Sequence, residues 1–250
     1  MLALEFPPIS HLIEWPEFGP GGFNKVAATY VFAALATMLI FVVGGARPKL
    51  VPTGLQNIAE VGVDFVRNQV VMQTMGAEGL VFLPYLTCLF FFIFFSNIVS
   101  VVPGIQFSAN ARMAVPLILA LLTWIIFNVV GVMKQGPLRY LKNSIIPPGV
   151  PVFALVLVVP IELVSHFLVK PFSLAVRLFA NMLAGHLILA TFATICAALF
   201  SKTLALAILP FSFALLIGLT GFEILVGFLQ AFIFTILTGV YIAGTMHAEH

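Results

Sequence analysis

The sequence predicts an all-α, polytopic membrane protein, and three observations predict it. Its 250 residues are 62% hydrophobic and 8% charged, where an average soluble domain carries roughly 25% charged residues. The apolar residues fall in long uninterrupted blocks rather than in the every-second-residue alternation of barrel strands, and helices satisfy their own backbone polar groups in such blocks. Several blocks reach the roughly 20 residues that a helix needs to cross a hydrocarbon core of about 30 Å. The expected architecture is a single membrane domain over residues 1–250: about five membrane helices plus one interfacial amphipathic helix, with the last two helices long and strongly tilted.

Residues 1–25 read as an arm outside the membrane. The stretch MLALEFPPISHLIEWPEFGPGG has no basic start, carries Glu5, Glu14 and Glu17, and is interrupted by Pro7, Pro8 and Pro16, so it is not expected to be a signal peptide. Residues 26–43 form the first span. Residues 51–73 interleave Leu55, Ile58, Val61, Val63, Phe65, Val66 and Val70 with Gln56, Asn57, Glu60, Asp64 and Arg67. That spacing suits an amphipathic helix on the bilayer surface or against a partner; a solvated helix is the plainer alternative. Residues 80–133 read as a helical hairpin with spans at 80–102 and 113–133.

Residues 150–246 hold two longer blocks. The first is interrupted mainly by Pro160, Glu162, His166, Lys170, Pro171 and the stretch RLFANMLAGH (177–186); the second, 203–246, has 44 residues, about 66 Å as helix. Such lengths require either a hairpin turn inside each block or one strongly tilted helix, kinked or broken where Pro171 and Pro210 fall. The lack of proline and of a polar turn in 215–246 favours tilt there. No internal repeat is evident, which weighs against a transporter of inverted halves.

The formal net charge is +2, with no basic cluster of the kind that binds nucleic acid. Basic residues set orientation instead, because cytoplasmic loops are enriched in them. Arg47, Lys49, Arg67, Lys134, Arg139 and Lys142 fall in two connections, against Lys25, Arg112 and Lys202 in the others. The N-terminus is therefore expected outside and the C-terminus in the cytoplasm. Cys88 and Cys196 lie in apolar runs without metal-ligand spacing, and neither metal nor cofactor is expected.

An ionisable residue at membrane depth costs about 2.5 to 3.5 kcal/mol on insertion scales unless it faces protein or water. The chain has Glu162, His166, Lys170, Arg177, His186 and Glu223 there, with Asn181 and Gln230 as uncharged companions. At about 100° per residue, Arg177 shares a face with Ala180, Asn181 and Ala184, where small neighbours let another helix approach. No acid of this chain is forced by spacing to meet it, which points to a carboxylate on another subunit. His186 falls about 180° around the helix from Arg177, while Glu223 and Gln230 are seven apart and share a face. Glu162, Ser165 and His166 form a second polar group toward the cytoplasmic side. The pattern is two wet paths separated by a fixed positive charge. Plainer alternatives are a structural His186–Glu223 pair, interhelical bonding by Asn181 and Gln230, and Glu162 as an interfacial cap or Lys170 partner, with Lys170 snorkelling to the cytoplasmic interface.

Three segments carry a family resemblance: KPFSLAVRLFANMLAGH (170–186), SNIVSVVPG (96–104) and LQAFIFTILTGVYI (229–242). In this order they resemble subunit a of the F-type ATP synthase, the membrane stator beside a rotating ring of c subunits, and the likeness covers most of the chain. The resemblance puts Arg177 at the essential arginine, Asn181 at the asparagine one turn later and Gln230 at the glutamine of the last helix. His186 and Glu223 fall where members carry one histidine and one acid in either arrangement. Ala180 stands where the RLFGN form has glycine. It also implies tilt of the last two helices around the ring, and an outer half-channel at Asn181, His186, Glu223 and Gln230. Glu162 and Ser165 are the candidates for a cytoplasmic half-channel. The partners implied are the c-ring, peripheral-stalk b-type subunits, the F1 sector indirectly and the lipid bilayer, in a bacterial plasma membrane.

Other functions are disfavoured by what is missing. A proton-coupled transporter predicts broken helices in paired halves, an intramembrane enzyme the HExxH or GxSxG pattern, and a nucleotide-binding subunit GxxxxGK[ST]; none appears in the sequence. A haem subunit needs paired axial ligands, and of the five histidines His11, His247 and His250 lie near the termini. The chain is not expected to be catalytic alone.

Overall fold

A computed structural model describes residues 24–46, 49–102, 109–146, 152–200 and 209–246. Among them the chain is all helix, with no strand. Residues 1–23 of the arm, Arg47 and Lys202 lie outside the described residues, and Lys25 already begins the first helix. Eight helices organise the rest: α1 Lys25–Ala46, α2 Leu55–Val66, α3 Leu83–Ile98, α4 Ala114–Gln135, α5 Pro137–Ile145, α6 Val152–Val164, α7 Lys170–Phe200 and α8 Leu209–Met246. Five stretches are long and apolar enough to cross a membrane: Val26–Ala46, Gly76–Val101, Ala114–Gln135, Phe153–Cys196 and Leu209–Met246. The five-span, all-α fold class is thus what the structure has.

The fourth stretch is one continuous helical run of 44 residues, not a hairpin. It passes Pro160 inside α6 and joins α7 through a π turn, Ser165–Val169. Proline has no N–H to give the helix ladder, and the π turn ends two residues before Pro171. The last helix runs unbroken for 38 residues. At about 1.5 Å per residue the two runs reach about 66 and 57 Å, roughly twice a hydrocarbon core.

Helix α8 packs against α3, α7 and α4, while α7 packs against α4 and α1 against α3 and α2. The centre is aromatic: Phe65, Phe90 and Phe228 meet with ring centroids 5.5 to 5.7 Å apart, within the range where tilted and edge-on rings attract. Threonines on α8 bond back to carbonyls one turn earlier, Thr235 to Ala231 and Thr238 to Phe234, so their hydroxyls are satisfied without water.

Within the chain the amphipathic segment turns its small residues inward and leaves its larger aliphatic ones open. Gln56, Ala59 and Val66 are buried, whereas Leu55, Ile58 and Val61 are exposed. The cause is close approach: a Cβ added at Gly44 would lie 3.1 Å from that of Ala59, and one at Gly62 would strike the Phe91 ring. Small residues therefore seat α2 on α1 and α3, and the larger aliphatic residues point outward. The Gln56 amide is held by both backbone groups of Lys49 and by Glu60. Lys49, Arg67, Lys134, Arg139 and Lys142 are all exposed.

Candidate functional site

Helix α7 carries two opposite stripes. Leu174, Ala175, Leu178 and Met182 are buried, none more than 2% exposed, and they seat the helix against its neighbours. Arg177, Ala180, Asn181, Ala184 and Ile188 form the exposed stripe. The 3.6-residue repeat of large apolar and small residues produces both. Arg177 makes no hydrogen bond or ion pair with any described residue. Tyr241 of α8 is within its electrostatic reach. His186 lies on the buried side at 7% exposure, as the half-turn offset from Arg177 requires.

Asn181, Glu223 and Gln230 come together around a cavity of about 360 Å³ between α7 and α8, walled by apolar residues such as Ile188, Phe222 and Val226. Glu223 is 4% and Gln230 5% exposed. Glu223 Oε1 is buried and lacks a hydrogen-bond partner among the described residues. A buried carboxylate oxygen is expensive to leave unsatisfied, so the cavity beside it is a place for water or a proton. The Glu223 carboxyl lies directly over Gly185, where an added Cβ would collide with it. His186 adjoins Gly185 in the chain but is not part of the cavity lining.

Glu162 and Ser165 are half-buried and lie 15 and 12 residues before Arg177, away from this cavity. Glu162 acts electrostatically on Lys170. Lys170 does not snorkel outward. It is half-buried, its Nζ lies 3.2 Å from His166 Nδ1 and sits 5.9 Å above the Tyr241 ring. An aromatic face and an imidazole nitrogen hold the ammonium where lipid would not.

Two polar networks were not read from the sequence. In one, buried Asn97 donates to Gly227 O at 3.0 Å and accepts from Asn110 Nδ2 at 2.6 Å. Asn110 Nδ2 also donates to Ser96 Oγ, and its Oδ1 accepts from Tyr30 OH. This cluster braces α8 between Glu223 and Gln230. In the other, His166 joins Tyr140 and Asn128. The quoted segment SNIVSVVPG contains Asn97, but its partner carbonyl lies 130 residues away, beyond any local spacing rule. His166 and Lys170, four apart, carried a helical-pair signal.

The family model described as "ATP synthase A chain" matches residues 26–243. A protein of Rhodococcus erythropolis described as "ATP synthase subunit a" is 41% identical over 254 residues, covering 98% of this chain and 88% of the relative. One from Frankia alni with the same description is 42% identical over 247 residues, covering 94% and 83%. Another from Rhodopseudomonas palustris is 41% identical over 228 residues, covering 90% and 88%.

Proposed function

The chain belongs to the ATP synthase A chain family, and on that premise we propose that it is the proton-conducting stator subunit of the enzyme's membrane sector. It is not catalytic alone; it offers two offset half-channels to carboxylates on a ring of c subunits. The observation that carries this reading is the exposed Arg177 on a stripe of small residues, with no described acid of its own chain engaging it. A permanently charged guanidinium at membrane depth needs an anion, and a ring carboxylate from a neighbouring polypeptide supplies one.

The outer half-channel runs through the cavity of Asn181, Glu223 and Gln230, with His186 alongside, and delivers a proton to a ring carboxylate. The neutralised carboxyl rotates into lipid and, after nearly a full turn, releases its proton to the cytoplasmic path near Glu162 and Ser165. Arg177 then holds the ionised carboxylate and prevents a direct proton leak between the paths. Each charge crossing 100 mV supplies about 2.3 kcal/mol, so several must pass per ATP. The two long helices lie inclined across the bilayer along the ring, which accommodates their length. The N-terminus is outside a bacterial plasma membrane, the exposed Lys49 and Arg67 that flank α2 and the exposed basic residues of α4 and α5 face the cytoplasm, and b-type stalk subunits and the F1 sector complete the assembly.

Arg177→Ala in the assembled complex tests this. ATP-driven proton pumping is abolished while the complex still assembles; normal coupled pumping overturns the reading.

A further inference from the structure

The π turn before α7 contains a polar latch. Within the turn, the Lys170 N–H bonds to Ser165 O, one residue further back than an α-helix would reach. Pro171 follows and has no N–H. The His166 carbonyl is thereby left without a helical donor, and Trp124 Nε1 of α4 bonds to it at 3.3 Å. The His166 ring is 4% exposed and stands among Phe127, Tyr140 and Phe167, with centroids 5.2 to 5.9 Å away.

Both ring nitrogens are engaged, and the roles are fixed by the partners. Lys170 Nζ only donates, so His166 Nδ1, at 3.2 Å, accepts. His166 Nε2 then carries the proton and donates to Tyr140 OH at 3.0 Å. Tyr140 OH donates to Asn128 Oδ1 at 2.9 Å, and Asn128 Nδ2 donates to Trp124 O at 2.7 Å. The result is a one-way chain of hydrogen bonds from the start of α7, across α5, to α4. The slot for Tyr140 exists because position 131 is glycine: a Cβ there would collide with the phenol ring. The far end of α5 is tied as well, through Asn143 to Gln135 and from Gln135 to Thr245 O of α8.

Lys170 and Arg177 are seven residues apart, two turns, so they lie on the same side of α7 about 10.5 Å apart along the axis. Whatever fixes the rotation of α7 at Lys170 fixes the direction of Arg177. We propose that His166 is a positioning residue: through Lys170 on one side and Tyr140 and Asn128 on the other, it locks the π turn to α4 and α5 and so aims Arg177. The proposal rests on the stator reading for its consequence, not for its geometry. Beyond Lys170 the hydrogen bonds run between neutral groups, and the ammonium itself stays engaged by His166 and the Tyr241 ring.

Thiol labelling uses the full chain purified in detergent with Cys88 and Cys196 replaced by serine and alanine, and pumping uses the assembled complex carrying the same substitutions. Single cysteines at positions 179, 180, 183, 184 and 188 report by thiol labelling which face of α7 is open. His166→Phe keeps a ring of similar size and removes both nitrogens; His166→Gln keeps one acceptor and one donor. With His166→Phe, labelling moves away from 180, 184 and 188 toward 179 and 183, and pumping falls at least about tenfold, as expected of a displaced reacting group. His166→Gln restores both. Tyr140→Phe gives a weaker shift of the same sign and adds nothing to His166→Phe. An unchanged labelling pattern in His166→Phe and Tyr140→Phe overturns the proposal, as does a failure of glutamine to restore it. If His166→Phe does not assemble, Tyr140→Phe alone decides by the same criterion. The labelling result stands apart from the stator reading, which Arg177→Ala tests by pumping.

Discussion

Replacing Gly185 by alanine tests how closely α7 and α8 meet at the proposed outer path. A Cβ at 185 falls on the Glu223 carboxyl, and Glu223, 4% exposed, has to give up its observed placement for the adjoining cavity or push the helix pair apart. Overpacking of this kind costs about 1 to 3 kcal/mol. At 1.4 kcal/mol per decade, the observed Glu223 placement is disfavoured roughly 5- to 150-fold. Thermal unfolding of the purified complex and ATP-driven proton pumping in inverted vesicles read the two consequences. The Gly185→Ala variant unfolds at lower temperature and pumps less. Because the obstacle is the far end of one side chain, Glu223→Asp, which retracts the carboxyl by a methylene, offsets part of the stability loss. In a double-mutant cycle the two changes are therefore non-additive, with an interaction of about 1 kcal/mol or more. A Gly185→Ala protein that matches the parent in stability and pumping, or a strictly additive cycle, refutes the close contact.

Three further outcomes follow from the same geometry. Asn97→Ala removes the bonds to Gly227 O and Asn110 and leaves buried polar groups unsatisfied, so it destabilises the chain by about 1 to 3 kcal/mol; denaturant melts in detergent measure this. Gly131→Ala displaces the Tyr140 ring and costs a similar overpacking penalty of about 1 to 3 kcal/mol, which Tyr140→Ala partly relieves; a thermal melt of the single and double variants reads the relief. Burial raises the Tyr140 phenol above its ordinary 10.0. Its contribution to stability is therefore complete below pH 10 and is lost as pH rises through the folded value. The difference in tyrosinate absorbance between the parent and Tyr140→Phe shows one phenol titrating above the ordinary range, with α5 loosening as it does.

Much of this architecture was legible because a membrane imposes simple rules. Block length gave five spans, and the 100° step placed Arg177, Ala180, Asn181 and Ala184 on one face and His186 on the other, as the exposed and buried stripes of α7 have them. Burial of Glu223 and Gln230 on one face of α8 followed from the same step. What stayed hidden depended on contacts between distant segments or on broken periodicity. Lys170 read as snorkelling because lysines near helix ends do so, whereas the π turn brings it back onto His166 and Tyr241. Gln56 read as the polar side of α2, yet it is buried because Gly44 and Ala59 let the helices close and Lys49 satisfies its amide. The Asn97 bond to Gly227 joins α3 to α8, and no local pattern announces it.

The measurement that bears most directly on the central claim is a density map of the assembled membrane complex, resolved well enough to place the Arg177 guanidinium. The account predicts a ring-subunit carboxylate within about 4 Å of it, the ordinary ion-pair distance, against the stripe of Ala180, Asn181 and Ala184. A guanidinium paired with an acid of its own chain, with only lipid against that stripe, would contradict it.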